Sequence, residues 1–241
     1  MKTLARALRL RFKMDLRSKS LLITYYIVPL IFYLFMGGIL TSVMPEMKHS
    51  LIPAMLVMGI SMGSFLGLPV SLLRSFRSEV LKLYQVSAVP FALPLLSAAL
   101  SAFLHLLLFS LVITLTAPFI FGAQSPEDPA RFLLALLLFL AVSVLFGCVL
   151  GLAVKEEGRL NMIAQLLFLP SILLSGIMLP LDVLPAALQA LAKCFPAYHG
   201  FRFMLGEGSS GRNLLILACF FAAGVLLTVF LLKVLKRSEK A

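Results

Sequence analysis

The chain has 241 residues, 61% of them hydrophobic and only 13% charged, with a formal net charge of +11. A mean hydropathy of +1.05 leaves too little polar surface for a water-soluble globule, which excludes soluble enzymes and soluble binding modules. The basic excess has no recognition motif around it, so nucleic acid is not an expected partner. A membrane span needs roughly 20 mostly apolar residues to cross a hydrocarbon core of about 30 Å. Six stretches qualify: Leu21–Val43, Ile52–Leu73, Phe91–Phe121, Phe132–Val154, Leu160–Leu179 and Asn213–Leu232. The predicted fold is therefore all-α, one polytopic transmembrane domain over residues 1–241.

Residues 2–19 precede the first span. Leu4, Leu8, Phe12 and Leu16 recur every four residues beside a basic stripe of Lys2, Arg6, Arg9, Lys13 and Arg17. At about 100° per residue these are separate arcs of one helix. Such a helix is expected to lie in the headgroup layer, basic side toward anionic lipid. The basic region is too long for a cleaved signal peptide, and no small-residue cleavage site follows near Met44-Pro45, so the first span reads as a signal anchor. Sixteen of the 21 Lys and Arg residues fall before span one, after span two, after span four and after span six; five fall on the other side. The positive-inside rule then puts both termini in the cytoplasm.

Span one contains Pro29 and Gly37-Gly38. Span two is rich in Met and Gly, and Gly59 and Gly63 form a G-x-x-x-G that permits close helix approach. The loop 74–88 is the longest connection on the cytoplasmic side and reads as a short helix, with Phe76, Val80, Leu83 and Ser87 on one side and Arg77, Glu79 and Lys82 on the other. Pro90 and Pro94 punctuate the start of span three. His105 lies inside that span, either as a functional ionisable group or as a neutral side chain hydrogen-bonded to a neighbouring helix. Cys148, Cys194 and Cys219 have no metal spacing and read as small apolar packing residues.

The turn before span five carries Glu156 and Glu157, where a helix N-terminus favours negative charge or a partner is contacted. Residues 180–212 are too punctuated by Pro and Gly to span. Within them Leu184, Leu188, Leu191 and Phe195 share one helical face, and Pro185 suits a first turn. A short amphipathic helix at the outer interface is predicted there.

Catalytic patterns are missing. The chain has no G-x-x-x-x-G-K-[ST] nucleotide loop, no H-E-x-x-H, no G-x-S-x-G and no pair of carboxylates inside a span. Proton-coupled carriers bury acids midway through the bilayer; here Asp182 is the only acid between Glu157 and Glu207. No enzymatic activity of its own is expected, and no cofactor on this chain.

The segment Ser175–Arg202, SGIMLPLDVLPAALQALAKCFPAYHGFR, carries a resemblance. It runs small-Gly (Ser175-Gly176), Pro180, a Leu-Pro pair (Leu184-Pro185) and a short helix closing at Pro196, with the polar His199 and then Arg202 after it. With the basic leading helix and six spans, the whole chain resembles the permease subunits of type-2 ABC exporters. Where that family often has Gly-Thr-Leu-Glu, this chain has Glu79-Val80-Leu81-Lys82.

The resemblance implies separate ABC ATPase subunits that carry ATP and Mg, docked under residues 74–88. Phe76, Glu79, Val80, Leu83 and Tyr84 would make the contact, with Glu156 and Glu157 beside them. It also implies a second permease chain, identical or related. Spans two and five would line the route, through Met58, Met62 and Phe65 on one and Asn161, Gln165, Phe168 and Ser175 on the other. The polar residues of span five fit a pathway face and equally fit hydrogen bonding within one subunit. Twenty Phe, eleven Met and no Trp favour a hydrophobic drug, lipid or amphipathic peptide over a bare sugar. A permease expelling antimicrobial peptides is the alternative within transport. A membrane scaffold and a membrane enzyme are the alternatives outside it. The expected location is the plasma membrane.

Overall fold

A computed structural model describes residues 2–77, 90–178 and 181–238. Every regular element among them is helical. Helix α1 (Lys2–Arg17) precedes α2 (Lys19–Val43), α3 (Leu51–Phe76), α4 (Leu93–Phe121) and α5 (Pro129–Ala153). There follow α6 (Glu157–Leu174), the short α7 (Ala186–Ala192), α8 (Pro196–Leu205) and α9 (Ser210–Ser238). Five helices are long and apolar enough to cross a membrane: α2, α3, α4, α5 and α9.

The bundle is built around α3. In its most apolar window 89% of residues are buried, against 22% in α2 and 17% in α9. Those two lie at the periphery, α9 running along α5. The G-x-x-x-G of α3 does what its spacing allows: the Phe109 ring of α4 covers Gly59, and Leu106 covers Gly63. On the next face Gly147 of α5 sits against the Ser64 carbonyl, where a side chain would collide with backbone. Two π-turns interrupt the helices at one level, Ile23–Ile27 in α2 and Gly63–Gly67 in α3, and they touch. At the start of α5 the Arg131 N–H donates to Asp128 Oδ1 (3.0 Å) and Pro129 occupies the first turn, a standard N-terminal cap.

Three expectations need correction. The stretch Leu160–Leu179 is helical only to Leu174, in a helix of 18 residues. At 1.5 Å per residue that is about 27 Å, and its first turn is Glu-Gly-Arg. The stop is set at Gly176, whose φ of +86° lies in the left-handed region that side chains disfavour. Between the 3-10 turn Leu181–Val183 and the start of α9, residues 181–212 hold two α-helices where one was predicted. The second, α8, is buried along most of its length against α5, α6 and α9, so it belongs to the bundle interior. Finally, α1 does not rest on its leucine stripe alone. Asp15 is the buried residue of that helix, while Leu10 and Met14 are each 63% exposed.

Candidate functional site

At the end of the bundle that carries the N-terminus, α1 is tied to α3 and α4 by a buried ionic cluster. Arg11 Nε lies 3.2 Å from Asp15 Oδ1, with the two side chains 15% and 7% exposed. The Ser101 hydroxyl of α4 donates to Asp15 Oδ2 at 2.6 Å. Arg11 donates to the Ser75 hydroxyl of α3 at 2.8 Å, and its other Nη donates to Ser71. A charge taken out of water is tolerable only when paired and hydrogen-bonded, and Asp15 and Arg11 each meet both conditions. One turn earlier Phe12 stacks on His105, ring centroids 4.2 Å apart. His105 Nδ1 is hydrogen-bonded to the Tyr26 hydroxyl of α2 at 2.7 Å. Of the two readings of His105, the structure supplies the partner on a neighbouring helix.

The residues predicted to contact an ATPase divide. Glu79, Val80, Leu83 and Tyr84 lie outside the described residues. Phe76 packs edge-on against Phe91, centroids 5.8 Å apart, and against the main core. It is an anchor at the base of the loop. Glu157, in the first turn of α6, accepts from Arg74 at the end of α3 at 2.6 Å. That hydrogen bond holds the Glu157 carboxyl below the ordinary carboxylate range, against the opposing effect of burial and with a lesser contribution from the Arg74 charge. Glu156 pairs with Arg159 at 3.2 Å, both exposed.

The predicted route residues also divide. Met58 and Phe65 of α3 are 3% and 5% exposed, and Met62 is half-buried. Phe65 joins Leu160 and Ala164 of α6 in a satellite core that the half-buried Phe168 packs against. Ser175 is fully buried, and its hydroxyl donates to the Ile172 carbonyl at 2.9 Å. Asn161 and Gln165 are different: both are exposed, one turn apart on α6 and next to the exposed Met162 and Leu166. Among the described residues neither is buried by another helix, and Asn161 lines a cavity that other helices also wall.

At the far end His199 of α8, also nearly buried, places Nδ1 3.1 Å from Asn213 Oδ1 and Nε2 2.9 Å from the Lys193 carbonyl. Arg202 donates to the Tyr198 hydroxyl at 2.9 Å and lies 3.6 Å from Glu207. Sequence reasoning placed His199 in a polar position but missed its partner. It counted Arg11 only among the basic residues before span one and gave Asp15 no role, although Asp15 is the only acid before Glu46. Of the cysteines, Cys148 is buried as expected, while Cys194 and Cys219 are exposed on the single chain.

Between α1 and the ends of α2, α3, α4 and α6 opens a cavity of about 770 Å³, with Arg6, Arg11, Arg74, Ser71, Leu66 and Asn161 among its walls. A family model described as ABC-2 type transporter matches residues 5–206. No curated protein matches the chain.

Proposed function

The chain belongs to the ABC-2 type transporter family and is thus the membrane component of an ABC transporter; from that premise we propose that it is the permease subunit of an ATP-driven exporter for a hydrophobic or amphipathic substrate. Six passes place both termini in the cytoplasm of the plasma membrane, with α6 as the short fifth pass and α1 along the inner interface. The charge asymmetry supports this orientation. Two permease chains form the route, and separate ATPase subunits bind ATP and Mg.

The observation that carries this reading is the uncovered polar ridge of α6. Asn161 and Gln165 are exposed on a helix flanked by Met162 at 65% and Leu166 at 70% exposure. An amide such as Gln165 facing lipid without a partner costs several kcal/mol, on the order of 2–7, whereas Asn161 already lines the cavity beside α1. A second permease chain or a water-filled route removes that cost. Phe65 and Phe168 pack with Leu160 and Ala164 of α6, and the route is taken to include Met58, Met62 and Ser175 as well. The ATPase docks on residues 74–88, through Glu79, Val80, Leu83 and Tyr84, with Phe76 anchoring the loop and Glu156 and Glu157 alongside. Closure of the ATPase pair then drives the two bundles as rigid bodies.

The test is co-purification with candidate ABC ATPases, followed by ATP hydrolysis in lipid with and without substrate. Hydrolysis is expected only in the complex, stimulated by substrate, and lost from pull-down in Val80→Asp/Leu83→Asp. Robust hydrolysis by the purified chain alone would overturn the permease reading.

A further inference from the structure

The cavity beside α1 has a charge surplus. Its ionic walls are Arg6, Arg11, Arg74, Asp15 and Glu157. Arg11 is bound to Asp15 and Arg74 to Glu157. Asp15 is further occupied by Ser101. Arg6 has no ion-pair partner among the described residues, so one cation at the mouth is uncompensated. Ser18, Ser20 and Ser71 add hydroxyl groups to the lining, and Leu66 and Val70 add apolar surface. At the rim, Leu10 and Met14 line the cavity while remaining 63% exposed. A volume of about 770 Å³ lies within the range of small-molecule sites, roughly 300–1,000 Å³.

We infer that this cavity is a binding site for the phosphate-ester head group of an anionic amphiphile, held by Arg6 and the hydroxyl wall while its acyl chain leaves along Leu10 and Met14. One surplus positive charge matches one phosphodiester. Ser75, Ser97 and Thr24 give their protons to backbone carbonyls, so the hydroxyls of Ser18, Ser20 and Ser71 are the wall donors for its remaining oxygens, and the apolar rim is where the first methylenes of a chain lie. A soluble phosphate ester offers the same head chemistry without the chain. The inference rests on the interfacial placement of α1 proposed above; it does not depend on an ATPase, so it is tested on the purified chain.

The competing explanation is diffuse attraction of anionic lipid to a basic helix, worth roughly 1 kcal/mol per cation and so about fivefold. Under that explanation Arg6 and Arg9 contribute alike, because both are exposed on α1. Under the site explanation only Arg6 matters, because Arg9 does not line the cavity.

The experiment reconstitutes the full chain in phosphatidylcholine nanodiscs with increasing phosphatidylglycerol and counts retained lipid by native mass spectrometry. One phosphatidylglycerol per chain is expected to be retained. Arg6→Gln should weaken retention about fivefold, Arg6→Lys should restore most of it, and Arg9→Gln should leave it within about twofold. Glycerol phosphate at the same concentration should not displace the lipid. Equal effects of Arg6→Gln and Arg9→Gln would overturn the site in favour of diffuse attraction. Full displacement by glycerol phosphate would overturn the amphiphile and leave a soluble phosphate ester as the ligand. Failure of ATPase co-purification, by contrast, would strike the permease reading alone.

Discussion

Helices α3 and α6 share one predicted role, lining a route, and are built in opposite ways. The first is finished within its own chain. Its apolar window is 89% buried, Phe109 and Leu106 close over its glycines, and Gly147 of α5 meets its backbone. The second presents Asn161 and Gln165 on a face that none of the described residues buries. The difference separates two jobs: α3 fixes the shape of one subunit, and α6 carries polar groups whose solvation must come from elsewhere. Without a hydrophobic drive between helices in lipid, close packing and satisfied polar groups do the holding, and α3 has the larger share of both.

The widest gap between the two regions should appear on the closed side. Asp15→Ala leaves Arg11 buried and unpaired, and breaking such a pair costs about 3–5 kcal/mol. The expected outcome is loss of monodispersity in detergent; an unchanged thermal midpoint would show that α1 is not held by this cluster. Next comes Gly147→Ala. Its Cβ meets the Ser64 carbonyl, which cannot rotate away, and overpacking costs about 1–3 kcal/mol. Gly38→Ala, with nothing within 4 Å, is the control and should be silent.

A smaller effect is expected where the two regions are linked by Arg74 and Glu157. The Glu157 carboxyl is held low by the Arg74 hydrogen bond. Its contribution is therefore present above the unfolded carboxylate's pKa and lost as the pH falls through the folded one. The side chains are 61% and 45% exposed, so screening limits the pair to about 0–1 kcal/mol. Glu157→Gln should flatten the acid side of the stability profile by no more than that, and high salt should do the same. The smallest effect on stability belongs to α6. Asn161→Leu/Gln165→Leu should leave the thermal midpoint of the isolated chain within about 0.5 kcal/mol while reducing transport by the reconstituted complex. A large loss of stability in the chain alone would erase the distinction between the helices.

Much of this was legible in the sequence. Four of the five long apolar helices begin and end within a few residues of the runs that predict them, and α9 exceeds its run at both ends because Lys and Arg extend a helix past the apolar stretch. The glycine pair of α3 was readable because G-x-x-x-G has one geometric use. Asp15 was not, because periodicity ranks residues by polarity and a lone acid among arginines looks solvated until its partners on α3 and α4, some sixty to eighty-six positions away, are in place. Helix α8 hid in a segment whose prolines and glycines signal interruption, although Pro196 starts that helix and Gly206 ends it. The exposure of Asn161 and Gln165 depends on what surrounds α6, which is a property of packing and has no local signature.

The π-turn of α3 has a consequence of phase. Each residue advances a helix by about 100°, and a π-turn carries one residue more than the α-helical ladder needs. The half of α3 before Gly63 therefore faces one way and the half after Gly67 another. The first half turns Gly59 to α4; the second turns Pro69 and Leu72 to Gly151 of α5. One helix thus serves two neighbours with two differently phased faces. The directions of Ser71, Arg74 and Ser75 are downstream of that offset, so the handshake between α3 and α1, and that between α3 and α6, are both timed by a single surplus residue deep inside the bundle.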